Sequence, residues 1–126
     1  MLLYPSVEMN SDSINVEEQQ VIKKDVVLSL EFTQRVLAAY AGKQDISQPL
    51  LSPVNGNLEI LPPVLLQHGT DDILIRGTRK LVDKMEKAGK AIQFEEFTGM
   101  LHGFILIPRL PEANLAIRSQ VKFIKG

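Results

Sequence analysis

Apolar residues in this chain fall into short unbroken runs and helical stripes, with long polar stretches between them. Val64 to Leu66 is continuously apolar, follows two prolines and stops at His68-Gly69, so 63–67 reads as a strand buried on both faces. Ile92 to Phe97 alternates, Ile92 and Phe94 against Gln93 and Glu95, and reads as a second strand near a sheet edge. Met1-Leu2-Leu3-Tyr4-Pro5 has the look of the end of a third strand.

Three stripes have the helical period. Over 29–41 Ser29 is the N-cap, Glu31 lies in the first turn, Phe32, Val36, Ala39 and Tyr40 share a face, and Gly42 is the stop. A second helix is expected over 77–88, with Leu81, Val82, Met85 and Ala88 inward, Lys84, Lys87 and Lys90 near its negative end and Gly89 as C′. The third opens at Pro111-Glu112 and runs to Lys125, with Ala113, Ile117, Val121 and Ile124 inward. Between these, 6–24 is polar around Asn10-Ser11-Asp12-Ser13. The 44–61 stretch is broken by Pro49, Pro53 and Asn55-Gly56-Asn57. Strand, excursion with one helix, strand, helix, strand, helix is the order of an α/β fold, a small parallel sheet of about three strands with helices on its faces.

Length and charge narrow the class. The 126 residues allow one modest domain, and 14 basic against 15 acidic side chains leave a net charge of −1. Nothing in that balance attracts nucleic acid or an anionic membrane. No apolar run approaches the length of a membrane span. With no cysteine, thiolate metal sites are excluded, no metal or cofactor is expected, and a cytoplasmic location is the default.

Ligand chemistry in open α/β sheets gathers beyond the carboxyl ends of strands. There the chain places Asp71-Asp72 after one strand and Gly99-Met100-Leu101-His102-Gly103-Phe104 after the next. One crossover unit separates Asp72 from His102, so their loops should be neighbours. A carboxylate that accepts the Nδ1 proton of an imidazole leaves Nε2 as a general base. The plainer reading of Asp72 is a helix cap. Asp71 is the alternative acid, or a solvated turn residue.

Together these stretches resemble the carboxyl-terminal third of α/β-hydrolases, most closely the hormone-sensitive-lipase-like esterases. That branch writes Leu-Pro-Pro, a strand, Gly-x-x-Asp-x-Leu, a helix ending in Ala-Gly, a strand, then Gly-Met-x-His-Gly-Phe. Leu2-Leu3-Tyr4-Pro5 and Ser52-Pro53 extend the match over nearly the whole chain. The resemblance implies that Asp72 is the triad acid and His102 the base. Ile73 stands where a proline is usual. Ile73, Leu74, Met100, Leu101 and Phe104 would line an acyl or alcohol pocket, and 6–61 would lie near the substrate entrance. His68 is read as a structural strand-end residue, because the His-Gly oxyanion motif of that family belongs far upstream.

The nucleophile elbow Gly-x-Ser-x-Gly is missing. None of Ser6, Ser11, Ser13, Ser29, Ser47, Ser52 and Ser119 has a glycine two residues to either side. The expectation is therefore the distal portion of a carboxylic-ester hydrolase acting on small acyl esters, inactive alone. Its open strand edges would favour pairing with a second copy. The rival is a non-catalytic interaction module that keeps the fold. A receiver-like domain fits poorly, since its acidic cluster belongs near the chain start.

Overall fold

The computed structural model describes residues 1–9 and 16–126. The run Asn10-Ser11-Asp12-Ser13, including two of the serines weighed above, lies outside the described residues. Three parallel strands form one sheet in the order β1 (Leu2–Leu3), β2 (Val64–Gly69), β3 (Ile92–Phe97). Leu2 lies opposite Leu66 in the first pair, and β2 runs alongside β3 from Val64–Ile92 to Gly69–Phe97. Every residue of β2 is buried, as its unbroken apolar run requires. β3 is half-buried except at Gln93 and Glu96, which are exposed, and forms one edge.

Successive side chains of β2 reach opposite faces, and this places the two helices that follow it. Val64 and Leu66 meet Leu81, Val82 and Met85 of α3 (Ile75–Lys87), with Val7 and Val54 completing that core. Gln67 turns to the other face. It donates to the Ala116 carbonyl of α4 (Pro111–Lys125) at 3.0 Å and to Glu95 at 2.6 Å, and accepts from Gln120 at 2.8 Å. A fully buried amide is stable there only because both its ends are bonded. Phe104, Ile105 and Ala116 form the second cluster, joined by Leu3, Tyr4 and Phe97.

The 6–61 excursion holds more regular structure than its sequence suggests. A helix not anticipated from sequence, α1 (Val16–Lys24), precedes α2 (Leu30–Ala41), and 3-10 turns occupy Pro53–Asn55 and Leu58–Ile60. α1 carries too few apolar residues to show a stripe. Ser29 caps α2 as expected, accepting the Phe32 N–H at 3.1 Å. Ser52-Pro53 ties two parts of the excursion together: the buried Ser52 hydroxyl donates to the Ile46 carbonyl at 2.7 Å and accepts the Met9 N–H at 2.9 Å.

Three expected faces are corrected. Phe32, Val36, Ala39 and Tyr40 of α2 are all exposed, Tyr40 by 67%, because no described residue covers that side. Ala88 is exposed at the end of α3. On α4 the inward residues are Ala113 and Ala116, whereas Ile117, Val121 and Ile124 are exposed. A periodicity argument weights the larger side chains, but the bond from Gln67 draws the small-residue face of α4 onto the sheet.

Candidate active site

Both candidate catalytic residues stand where parallel strands end. β2 stops at Gly69, and Thr70 to Leu74 turn the chain into α3. β3 stops at Phe97, and Thr98 to Gly103 form the neighbouring loop. The two loops are laced together. The Thr70 N–H donates to the Phe97 carbonyl at 3.0 Å, and the Asp71 N–H donates to the Met100 carbonyl at 3.1 Å. The Thr70 hydroxyl accepts the Gly99 N–H at 2.8 Å. Gly99 and Gly103 flank the histidine turn with φ of 74° each, a left-handed conformation that a side chain would strain.

Within this frame Asp72 Oδ2 lies 2.9 Å from His102 Nδ1. Asp72 Oδ1 accepts the Leu74 N–H at 2.9 Å, so the carboxylate also serves the start of α3. Asp72 is not the helix cap: the N-cap position of α3 is Leu74, without a side-chain cap bond, and Asp72 steadies the turn before it while its other oxygen faces the imidazole. His102 is half-buried, and the Tyr4 ring stands edge-on to it at 4.9 Å between centroids. Tyr4 takes a positive φ of 38° as it leaves β1, with its N–H still bonded to the Gln67 carbonyl at 2.8 Å. That irregular residue is held at the site and restricts the imidazole.

Two further partners escaped the sequence reading. His68, expected to be a structural strand-end residue, is fully buried near the end of β2, and its Nε2 lies 2.8 Å from the same Asp72 oxygen. Its signal was the spacing of four between His68 and Asp72 around a tight turn. Asp25, also buried, accepts the N–H groups of Val27 and Leu28 on Oδ1. Its Oδ2 accepts the Ile73 N–H at 2.9 Å, which ties the excursion to the turn carrying Asp72. No local motif marks a bond across 48 residues.

The other expected site residues divide. Asp71 makes no hydrogen bond to His102 among the described residues, and its carboxylate lies 3.7 Å from Lys24. Ile73 and Leu74, which follow Asp72, and Met100 and Leu101, which precede His102, are half-buried. Phe104 is only 1% exposed and packs with Phe97 at 4.9 Å, which makes it core rather than pocket wall. Among the serines without the elbow glycines, Ser6, just past β1, is exposed and makes no bond to His102 among the described residues. No group of His, Cys, Asp and Glu with metal-binding geometry occurs among the described residues.

Burial alone would push the Asp72 carboxyl up. The hydrogen bond from His102, the close His68 imidazole and the Leu74 N–H outweigh it and bring its pKa down to about 2. On His102 the Asp72 hydrogen bond acts first and raises the imidazole pKa, against a smaller lowering by burial. A carboxyl depressed from 3.8 to about 2 stabilises the fold above the unfolded value, and that contribution is lost as pH falls towards the folded one. A raised histidine works in the opposite sense: its contribution is complete below 6.5 and is lost as pH rises through the folded value. The two shifts share the Asp72–His102 bond and are not added; the Asp72 shift, to which His68 and the Leu74 N–H also contribute, amounts to roughly 2 kcal/mol. Urea midpoints should therefore be highest on the mildly acidic side of neutrality and fall on either side. Asp72→Asn should flatten both limbs, and an unchanged profile would contradict the pairing.

A carboxylate and an imidazole at the ends of adjacent parallel strands, beneath helices on both faces, define the class as an α/β-hydrolase. A family model described as alpha/beta hydrolase fold matches residues 1–106, and the chain belongs to that family. An acetyl-hydrolase of Streptomyces hygroscopicus is 33% identical over 103 residues, covering 81% of this chain and 34% of that protein. An esterase of Acinetobacter venetianus is 30% identical over 126 residues, covering 98% and 41%. Among solved structures, EstE5 soaked with ethyl alcohol superposes with a TM-score of 0.88 at 27% identity, covering 98% of this chain and 41% of that one. The hormone-sensitive-lipase homologue EstE7 from a metagenome library shares the fold, with a TM-score of 0.89 at 22% identity over 98% and 42%. The chain is thus esterase-like, while spanning about two fifths or less of these relatives' lengths. No helix among the described residues is long and apolar enough to cross a membrane.

Proposed function

We propose that these residues supply the acid and base of a Ser-His-Asp triad for hydrolysis of small carboxylic esters. Asp72 is the acid and His102 the base, and the nucleophilic serine is not among the 126 residues. The observation that supports this best is the 2.9 Å bond between His102 Nδ1 and Asp72 Oδ2. It holds Nδ1 protonated and leaves Nε2 to take a proton from a serine hydroxyl and return it to the leaving alkoxide. The half-buried Ile73, Leu74, Met100 and Leu101 offer an apolar rim for acyl or alcohol groups. In this reading residues 1–126 are the carboxyl-terminal portion of a hydrolase domain, and the open edges of β1 and β3 favour pairing with a second copy.

A fluorophosphonate probe and short-chain p-nitrophenyl esters test the assignment. The 126-residue chain should neither label nor turn over ester above the level of its His102→Gln variant. Joined to an upstream polypeptide carrying a Gly-x-Ser-x-Gly elbow, it should gain both, and His102→Gln should then remove turnover. Labelling of a serine within these residues would refute the missing nucleophile. Turnover indifferent to His102→Gln would refute the base. The second reading, a non-catalytic module with this fold, is favoured by the same absence of a nucleophile and would leave the joined form inert.

A further inference from the structure

His68 is a fully buried imidazole that the acid–base reading leaves without a task. It lies on the face of β2 that packs against α3, where Val64 and Leu66 are apolar. An imidazole in that row costs free energy unless its nitrogens are matched. Nδ1 is 2.9 Å from the Thr78 hydroxyl, in the first turns of α3. Nε2 is 2.8 Å from Asp72 Oδ2, the oxygen that also meets His102 Nδ1. This second contact is close but bent out of line for a full hydrogen bond.

The chemistry of the partners selects the tautomer. An ionised carboxylate only accepts hydrogen bonds, so the nitrogen facing it carries the hydrogen. In a neutral ring Nδ1 is then bare, and a hydroxyl can donate to it. We propose that His68 is a positioning residue for the acid: held by Thr78 as its Nε2–H tautomer, it shares Asp72 Oδ2 with His102. It thereby sets how much of the carboxylate's charge the second imidazole feels. Besides Asp72, the groups that bear on His102 are the carboxylate of Asp25 and the ring of Tyr4. Among the described residues neither is hydrogen-bonded to His68, whose polar partners are Thr78 and Asp72, so exchanging His68 removes no bond to either. Loss of the His68 donor returns negative charge to Asp72 and favours the His102 imidazolium.

The bearing on catalysis rests on the triad reading, but the test needs no turnover. The chain has two histidines, so 15N spectra of the labelled protein contain only two imidazoles. His68 should show a protonated Nε2 and a bare Nδ1 at neutral pH. A protonated Nδ1, alone or together with Nε2, would overturn the proposal, and this measurement on the unsubstituted chain requires no variant to fold. His68→Gln places an amide donor near the position of Nε2, whereas His68→Met has similar length and no donor. The His102 titration midpoint should move up in His68→Met and remain at its original value in His68→Gln. Equal midpoints in the two variants, or a downward shift with methionine, would reduce His68 to packing. If His102→Gln left ester turnover intact, the triad reading would fail while these spectra stood.

Discussion

Replacing Asp72 by asparagine in a form of the protein that turns over esters lowers kcat about 10⁴-fold, the scale seen when a serine-protease triad loses this charge. An amide is nearly isosteric, so the site keeps its shape. The carboxylate is approached from three directions: it accepts from His102 on Oδ2 and from the Leu74 N–H on Oδ1, and His68 Nε2 lies 2.8 Å from Oδ2. An amide oxygen can face only one side. If it keeps the Leu74 bond, the amide nitrogen meets two imidazoles and drives His102 towards the tautomer with Nδ1 bare and Nε2 blocked. KM should change far less than kcat, because the lost interaction is worth most once His102 is charged. Members of a triad act as a unit, so adding His102→Gln should cost little more than either change alone. Additive losses would mean that the two residues act separately.

Gly69→Ala should destabilise the fold by about 3 kcal/mol or more, a large effect for one methyl group. A Cβ at Gly69 would fall 2.1 Å from the Met100 carbonyl oxygen and 2.5 Å from its carbon. Both are backbone atoms of the loop that carries His102, and no rotamer change can move them aside. That carbonyl also accepts the Asp71 N–H, so displacing it loosens the turn holding Asp72. Gly89→Ala is the control. Its φ of 65° is strained for alanine, but nothing lies within 4 Å of the added atom. It should cost only about 1–2 kcal/mol. Denaturant midpoints compare the two, and equal losses would show that the loops are not in the tight contact described.

What could be read without coordinates depended on how local its cause was. β2 was legible because an unbroken apolar run between prolines and His-Gly has few other fates. The cap of α2 at Ser29 and the stop of α3 at Gly89 were legible because a side-chain oxygen or a left-handed residue acts within one turn. The stripe on α4 misled, since Ile117, Val121 and Ile124 look like a core face. The helix instead docks by Ala113 and Ala116, under the pull of a buried glutamine. α1 was missed because its stability does not show in an apolar period.

The same division runs through the site. Order along the chain sufficed to place an aspartate and a histidine beyond neighbouring parallel strands, because a crossover unit returns the chain to the same end of the sheet. Family resemblance then attached roles to Asp72 and His102. Tertiary structure alone decided that one carboxylate oxygen faces two imidazoles, that Asp25 reaches the turn from 48 residues away, and that Tyr4 stands against the His102 ring. The physical reason is range: periodicity and turn chemistry act over a few residues. A buried hydrogen bond is instead chosen by whichever distant groups the completed fold leaves face to face.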